Sequence, residues 1–188
     1  GPIRVTTTDS IADRILAPHL KTFHDKHPEI TINLIVTNTR LDLPRLDADL
    51  SVRPSRNPPA DLIGRNVSAM AFSIYCGSDA HETLTRPPAE QRPWIGISHD
   101  LKNSPAHSWM ERIEQENPVV ARGNSFVTLR ELAASGLGIT VLPCFLGDPD
   151  PRLVRLEPPV AELESFVWVL THRDLRNSAR VRALSDHL

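Results

Sequence analysis

Four short polar stretches of the chain have side chains that could do chemistry: Thr7-Thr8-Asp9-Ser10, Thr37-Asn38-Thr39, Ser98-His99-Asp100 and Asn124-Ser125. They offer hydroxyls, amides, two carboxylates and one imidazole, which suits holding a ligand by hydrogen bonds. Covalent chemistry is poorly served. Ser10, His99 and Asp100 include the residue types of a hydrolytic triad, but no nucleophile-elbow pattern surrounds Ser10. His24-x-x-His27 has no third ligand nearby in a metal-type motif. Neither a phosphate loop nor a dinucleotide fingerprint occurs. The expectation is a binding module, with no catalytic residue, no metal and no cofactor.

Each stretch also has a plainer use. Thr8, Asp9 and Ser10 could simply cap a helix, and Thr37 to Thr39 could be a solvated loop. Asp9 could repel an anionic ligand, attract an amine, or act only as the cap. His99 can donate to a ligand and titrates near neutrality, although a loop histidine is more often merely exposed.

Strands and helices in alternation must position these groups. The segment around which the rest is organised runs from Ser125 to Pro143. Val127, Leu129, Leu132 and Ala133 make an apolar helical face, and Gly136 stands where a helix end needs a left-handed residue. Ile139 to Leu142, stopped by Pro143, reads as a strand buried on both faces. Asn124 and Ser125 are good helix N-caps, and the free N–H groups there suit an anion or carbonyl.

Upstream, Ile3 to Thr6 reads as a strand and Asp9 or Ser10 as the cap of a helix with Ile11, Ile15, Leu16, Leu20 and Phe23 inward. Pro18 should bend or interrupt that helix. Ile30, Ile32, Leu34 and Val36 alternate as a half-buried strand, leaving Ile35 facing away. A short helix around Leu41 to Leu46 and a strand at Leu50 to Arg53 complete a parallel strand–helix grammar. Strands are further expected at 62–67, 71–75, 94–97, 119–121, 153–156 and 166–170. Ser104-Pro105 should open a helix with Trp109, Met110 and Ile113 inward, and Asn177 or Ser178 a last one carrying Val181, Leu184 and Leu188.

The bulk numbers are those of an ordinary globular chain. Its 188 residues suffice for two small lobes with real cores. Net charge is −2 and the basic residues are scattered, which argues against nucleic-acid binding by this chain alone. Cys76 and Cys144 are far apart and read as buried free thiols of a cytosolic protein. No apolar run approaches the roughly 20 residues that span a bilayer. Gly1-Pro2 has the look of a tag-removal scar, so a further N-terminal segment is expected in the natural chain.

In Ala133-Ala134-Ser135-Gly136-Leu137-Gly138-Ile139-Thr140-Val141-Leu142-Pro143 the chain resembles the "a-GlGia-lP" signature of the effector-binding domain of LysR-type transcriptional regulators. The likeness extends to Ile3-Arg4-Val5 with Thr6 to Ser10, to Leu16 through Phe23 with His27-Pro28-Glu29-Ile30, and to Asp49-Leu50-Ser51-Val52-Arg53. Order and spacing together carry it. It implies an α/β chain of two Rossmann-like lobes in the periplasmic-binding-protein type II fold. Residues 3–75 with 166–188 would form the first lobe and residues 76–165 the second, inserted one. The resemblance places a small-molecule effector in the inter-lobe cleft, with Thr8, Asp9, Ser10, Thr37, Asn38, Ser98, His99, Asn124 and Ser125 as candidate ligands. An anion is the favoured class, because helix starts carry positive dipole ends. It further implies a cytoplasmic homo-oligomer, dimeric through this domain and tetrameric at full length. DNA would be contacted only by an N-terminal winged helix-turn-helix outside this chain. The alternative is a solute-binding protein of a transport system, which shares the fold.

Overall fold

The computed structural model describes residues 1–39 and 48–188. The short helix expected around Leu41 to Leu46 lies outside the described residues. The chain divides into two compact units, Gly1–Ala69 with Ser165–Leu188 and Met70–Glu164. The expected divisions, at 75/76 and 165/166, stand beside observed ones at 69/70 and 164/165.

The first unit opens with β1 (Pro2–Thr7), then α1 (Asp9–Ile11), a π-helical stretch (Ala12–Leu16) and α2 (Ala17–Lys26). Pro18 does not interrupt the helix; it falls at the start of α2, and the turn before it is wound wide as π-helix. A missing N–H is tolerated there because the preceding carbonyls bond differently in a π turn. β2 (Thr31–Val36), β3 (Leu50–Ser55) and β4 (Leu62–Met70) follow.

The second unit holds β5 (Phe72–Gly77), α3 (His81–Thr85), β6 (Trp94–Ile97), α4 (Pro105–Glu116), β7 (Val119–Gly123), α5 (Phe126–Ala134), β8 (Thr140–Pro143), α6 (Cys144–Gly147) and β9 (Leu153–Arg155). β10 (Ser165–His172) and α7 (Ala179–His187) then complete the first unit.

The sheet of the first unit has the order β2-β1-β3-β10-β4. β1 pairs in parallel with both β2 and β3, while β10 runs antiparallel to β3. In register, Val5 lies beside Leu50 and Thr7 beside Val52, so the alternation sends Thr6, Ser51 and Arg53 to the other face. Ile3, Val5, Ile11, Leu16, Phe23, Leu50, Val52, Val167, Val169, Val181 and Leu184 are buried. Each such side chain stabilises the fold by about 1.5–3 kcal/mol.

β2 is not the half-buried strand expected. It lies at the edge of the sheet, and Leu34 and Val36 are 39% and 48% exposed. Ile32 and Ile35 are the better covered residues of that strand. An edge strand has one neighbour, so alternation alone cannot bury its apolar set.

In the second unit β5 lies between β8 and β9, antiparallel to both, and β6 pairs in parallel with β7. A parallel bridge from Trp94 to Ile139 joins the two small sheets. All four residues of β8 are buried. The inward face of α5 is Phe126, Leu129, Arg130 and Ala133, rotated from the expected one. Phe126 decides this by packing edge-on to Phe72, with ring centroids 5.6 Å apart. Gly136 takes the left-handed conformation expected of it, at φ +88°.

Candidate functional site

Three elements bring their carboxyl ends together in the first lobe. β1 ends at Thr7, β2 at Val36 and β3 at Ser55, and parallel pairing sets the loops after the first two side by side. The Thr37 N–H donates to the Thr7 carbonyl at 3.0 Å, and the Asp9 N–H to Asn38 Oδ1 at 3.4 Å. Thr8, Asp9, Ser10, Thr37 and Asn38 are thus neighbours in space. The cap is Thr8, which accepts from the Ile11 N–H, and not Asp9 or Ser10 as expected. Asp9 accepts instead from the adjoining Ser10 N–H at 2.7 Å. Capping geometry needs an extended residue whose side chain reaches two or three N–H groups ahead, and Thr8 has that backbone. Ser10 is 2% exposed, and its hydroxyl lies 3.4 Å from that of Thr8.

Arg53 belongs to this cluster and was not among the expected residues. Its Nη2 donates to Thr6 Oγ1 at 2.8 Å and to the Thr7 carbonyl at 3.2 Å, and its Nη1 to the Thr39 carbonyl at 3.4 Å. Partial burial lowers its guanidinium to about 10, so it stays charged at neutral pH. The sequence offers one hint of it, an arginine closing the short strand Leu50-Ser51-Val52.

The second lobe brings together the other four residues at the ends of β6 and β7. The Ser98 N–H donates to the Gly123 carbonyl at 2.9 Å, and Asn124 Nδ2 to Asp100 Oδ2 at 2.9 Å. Asp100 is thereby tied up as an orienting acceptor. Ser125, 8% exposed, caps α5 by accepting from the Thr128 N–H at 3.1 Å. His99 is exposed and meets His107 edge-on with centroids 5.9 Å apart. His107 in turn faces Glu111, with Nδ1 3.1 Å from the carboxylate.

Behind this site, ion pairs tie the outer elements of the second lobe. Arg152 bonds Asp150 and Glu131 and holds both carboxyls below their usual range. Burial pushes the Asp148 carboxyl up, but bonds from Arg155 and Tyr75 outweigh it and leave it low. Tyr75 is pushed up, by burial first and then by its 2.6 Å bond to Asp148. Cys76 and Cys144 are both free; Cys76 is buried as expected, while Cys144 is only half-buried.

Comparison with known proteins gives a consistent result. The family model for the LysR substrate binding domain matches residues 1–188. The Mau operon transcriptional activator of Paracoccus denitrificans is 26% identical over 189 residues, covering 97% of this chain and 62% of that protein. The HTH-type transcriptional regulator CrgA of Neisseria meningitidis is 24% identical, covering 88% of this chain and 57% of that protein. The chain therefore spans about three fifths of the length of these relatives. Among solved structures, the CrgA regulatory domain superposes with a TM-score of 0.79 at 21% identity, covering 99% of this chain and 96% of that one. The AmpR effector binding domain of Citrobacter freundii gives 0.76 at 18% identity, covering 98% and 94%. The fold is the periplasmic-binding-protein type II fold of such domains. With a family match running from the first residue to the last, this chain belongs to the LysR substrate binding domain family.

Proposed function

We propose that this chain senses a small-molecule effector for a LysR-type transcriptional regulator and helps to hold that regulator's subunits together. The family match along the whole chain carries the reading. The polar loops at strand carboxyl ends support it, because α/β sheets bind ligands there. DNA contact and work in the cytoplasm belong, on this reading, to a longer protein of which the chain is one domain. The relatives described above are regulators of transcription, which favours regulation over solute transport. No helix among the described residues is long and apolar enough to cross a membrane.

Thermal-shift screening against a metabolite library tests the sensing role, since a ligand of the native state raises the melting temperature. With a ligand in hand, Ser10→Ala should weaken binding by about 1 to 3 kcal/mol if a charged ligand group loses its hydroxyl partner. Folding should lose no more than about 1 kcal/mol, because Ser10 is not the cap. Ser178 is the comparison: it begins α7 without a side-chain capping bond. Ser178→Ala should leave affinity unchanged, and equal affinities in all three proteins would remove Ser10 from the site.

Self-association should be visible in the isolated chain. The edge strand β2 has no strand on its outer side among the described residues and carries exposed Leu34 and Val36, a surface suited to a second copy. Sedimentation at tens of micromolar, an ordinary range for weak association, should show a dimer. Leu34→Lys with Val36→Lys should shift it toward monomer. A parent protein that stays monomeric throughout would refute the oligomerisation role.

A further inference from the structure

We infer that Arg53 anchors an oxyanion of the effector, a carboxylate or a tetrahedral oxyanion, at the strand ends of the first lobe. This deepens the sensing role just proposed and rests on it. A guanidinium has five N–H donors and a permanent charge at neutral pH. Those of Arg53 meet only neutral acceptors: Nε and Nη2 on Thr6 Oγ1 at 3.3 and 2.8 Å, Nη2 on the Thr7 carbonyl at 3.2 Å, Nη1 on the Thr39 carbonyl at 3.4 Å. Among the described residues no carboxylate pairs with it. Three other arginines have carboxylate partners. Arg152 has Asp150 and Glu131, Arg155 has Asp148, and Arg112 has Glu162. Those arginines are themselves exposed, where a counter-ion is least needed. Arg53 is half-buried, where an uncompensated charge costs more than at the surface, and no carboxylate among the described residues offsets it.

Its position gives that charge a use. Arg53 stands at the carboxyl end of β3 beside the end of β1, and it braces the strand from which Thr8 and Ser10 lead off. Two of the four bonds to Arg53 are long, and one Nη1–H has no acceptor among the described residues. An incoming oxyanion would take that donor and supply the missing charge. A planar carboxylate would suit the fork in a bidentate way.

The test compares the parent chain with Arg53→Gln and Arg53→Lys. Thermal unfolding is followed in sodium chloride, sulfate, phosphate and succinate at matched ionic strength. The parent should gain stability saturably with at least one oxyanion relative to chloride. Arg53→Gln should weaken the apparent affinity at least tenfold, and Arg53→Lys less. Succinate acting alone would identify a carboxylate site, and sulfate or phosphate acting alone a tetrahedral one. Salts that act only by exclusion from the surface raise stability without saturation and equally in every variant. That outcome would overturn the anchor. Should Arg53→Gln fail to fold, amide resonances of the parent decide: those of Thr6 to Ser10 and Thr39 must move during a sulfate or succinate titration, and static signals refute the inference. A neutral metabolite from the screen that binds parent and Arg53→Gln equally would overturn the anchor and leave the sensing role standing. A screen with no binding metabolite would strike the sensing role itself, and the anchor with it.

Discussion

Gly64→Ala should destabilise the chain by about 3 kcal/mol or more, the sum expected from a disallowed backbone conformation and a backbone clash. Gly64 lies in β4 with φ +156°, a value that side-chain-bearing residues rarely adopt. A Cβ built there would fall 1.9 Å from the Val169 carbonyl oxygen, in the neighbouring strand β10. Backbone cannot rotate away as a side chain can, so β4 must separate from β10 or change its path. Either loses pairing along the strand that runs through the buried Val167 and Val169. For a chain of this length 1 kcal/mol shifts the melting point by roughly 2–4 °C, so a drop of about 6–12 °C is expected. Gly136→Ala is the matched control. Its φ of +88° is also left-handed, but the nearest atom to its Cβ is the Ala80 methyl at 3.2 Å, which asks for a shift of only a few tenths of an ångström. It should cost about 1–2 kcal/mol, from backbone strain alone. Equal losses at the two glycines would show that the clash with β10 does not decide the matter.

Gly64 marks a limit of the sequence as a guide. An isolated glycine within a strand pattern warns of a close backbone approach, but nothing local names the partner strand a hundred residues away. The same holds for β2. Its alternation was legible at Ile30, Ile32, Leu34 and Val36, while its place at the sheet edge depends on pairings between distant strands. Local signals did better where the physics is local. Ser104 caps α4 ahead of Pro105, Ser125 caps α5, and Gly136 turns the helix end, as their residue types require. In α5 the expected Leu129 and Ala133 are buried, while Phe126 and Arg130 take the places expected of Val127 and Leu132. Phe126 overrode the expected face by finding an aromatic partner in another element.

The candidate site was legible to a similar degree. Residues that follow strands in a parallel sheet must gather at its carboxyl edge, so Thr8 to Ser10 and Thr37 to Asn38 could be grouped from sequence order alone. The structure places these two loops in hydrogen-bond contact. Arg53 was missed for a reason of chemistry. A single arginine in a strand is ordinarily read as surface, and what distinguishes this one, the lack of a carboxylate partner among the described residues, is visible only in three dimensions. Asp100 was named within its stretch, but its tie to Asn124, 24 positions away, was not legible.

Phe72→Ala should cost the second lobe about 3–5 kcal/mol, the usual range for emptying a buried phenylalanine site. Phe72 is 1% exposed, and its edge-to-face pair with Phe126 adds to the area it buries. Phe126 is the first residue of α5, directly after the Ser125 cap and the exposed Asn124. The Phe72 ring is therefore part of the floor on which one candidate binding loop rests. Its removal should loosen the start of α5 before the rest of the lobe unfolds. Hydrogen exchange of the Thr128 and Leu129 amides, which bond back to Ser125, should quicken more than that of the β10 amides in the first lobe. Phe72→Leu keeps much of the volume and should cost well under half as much. If Phe72→Ala loses less than about 1 kcal/mol, or if protection falls equally in both lobes, the ring is not what fixes α5 in place.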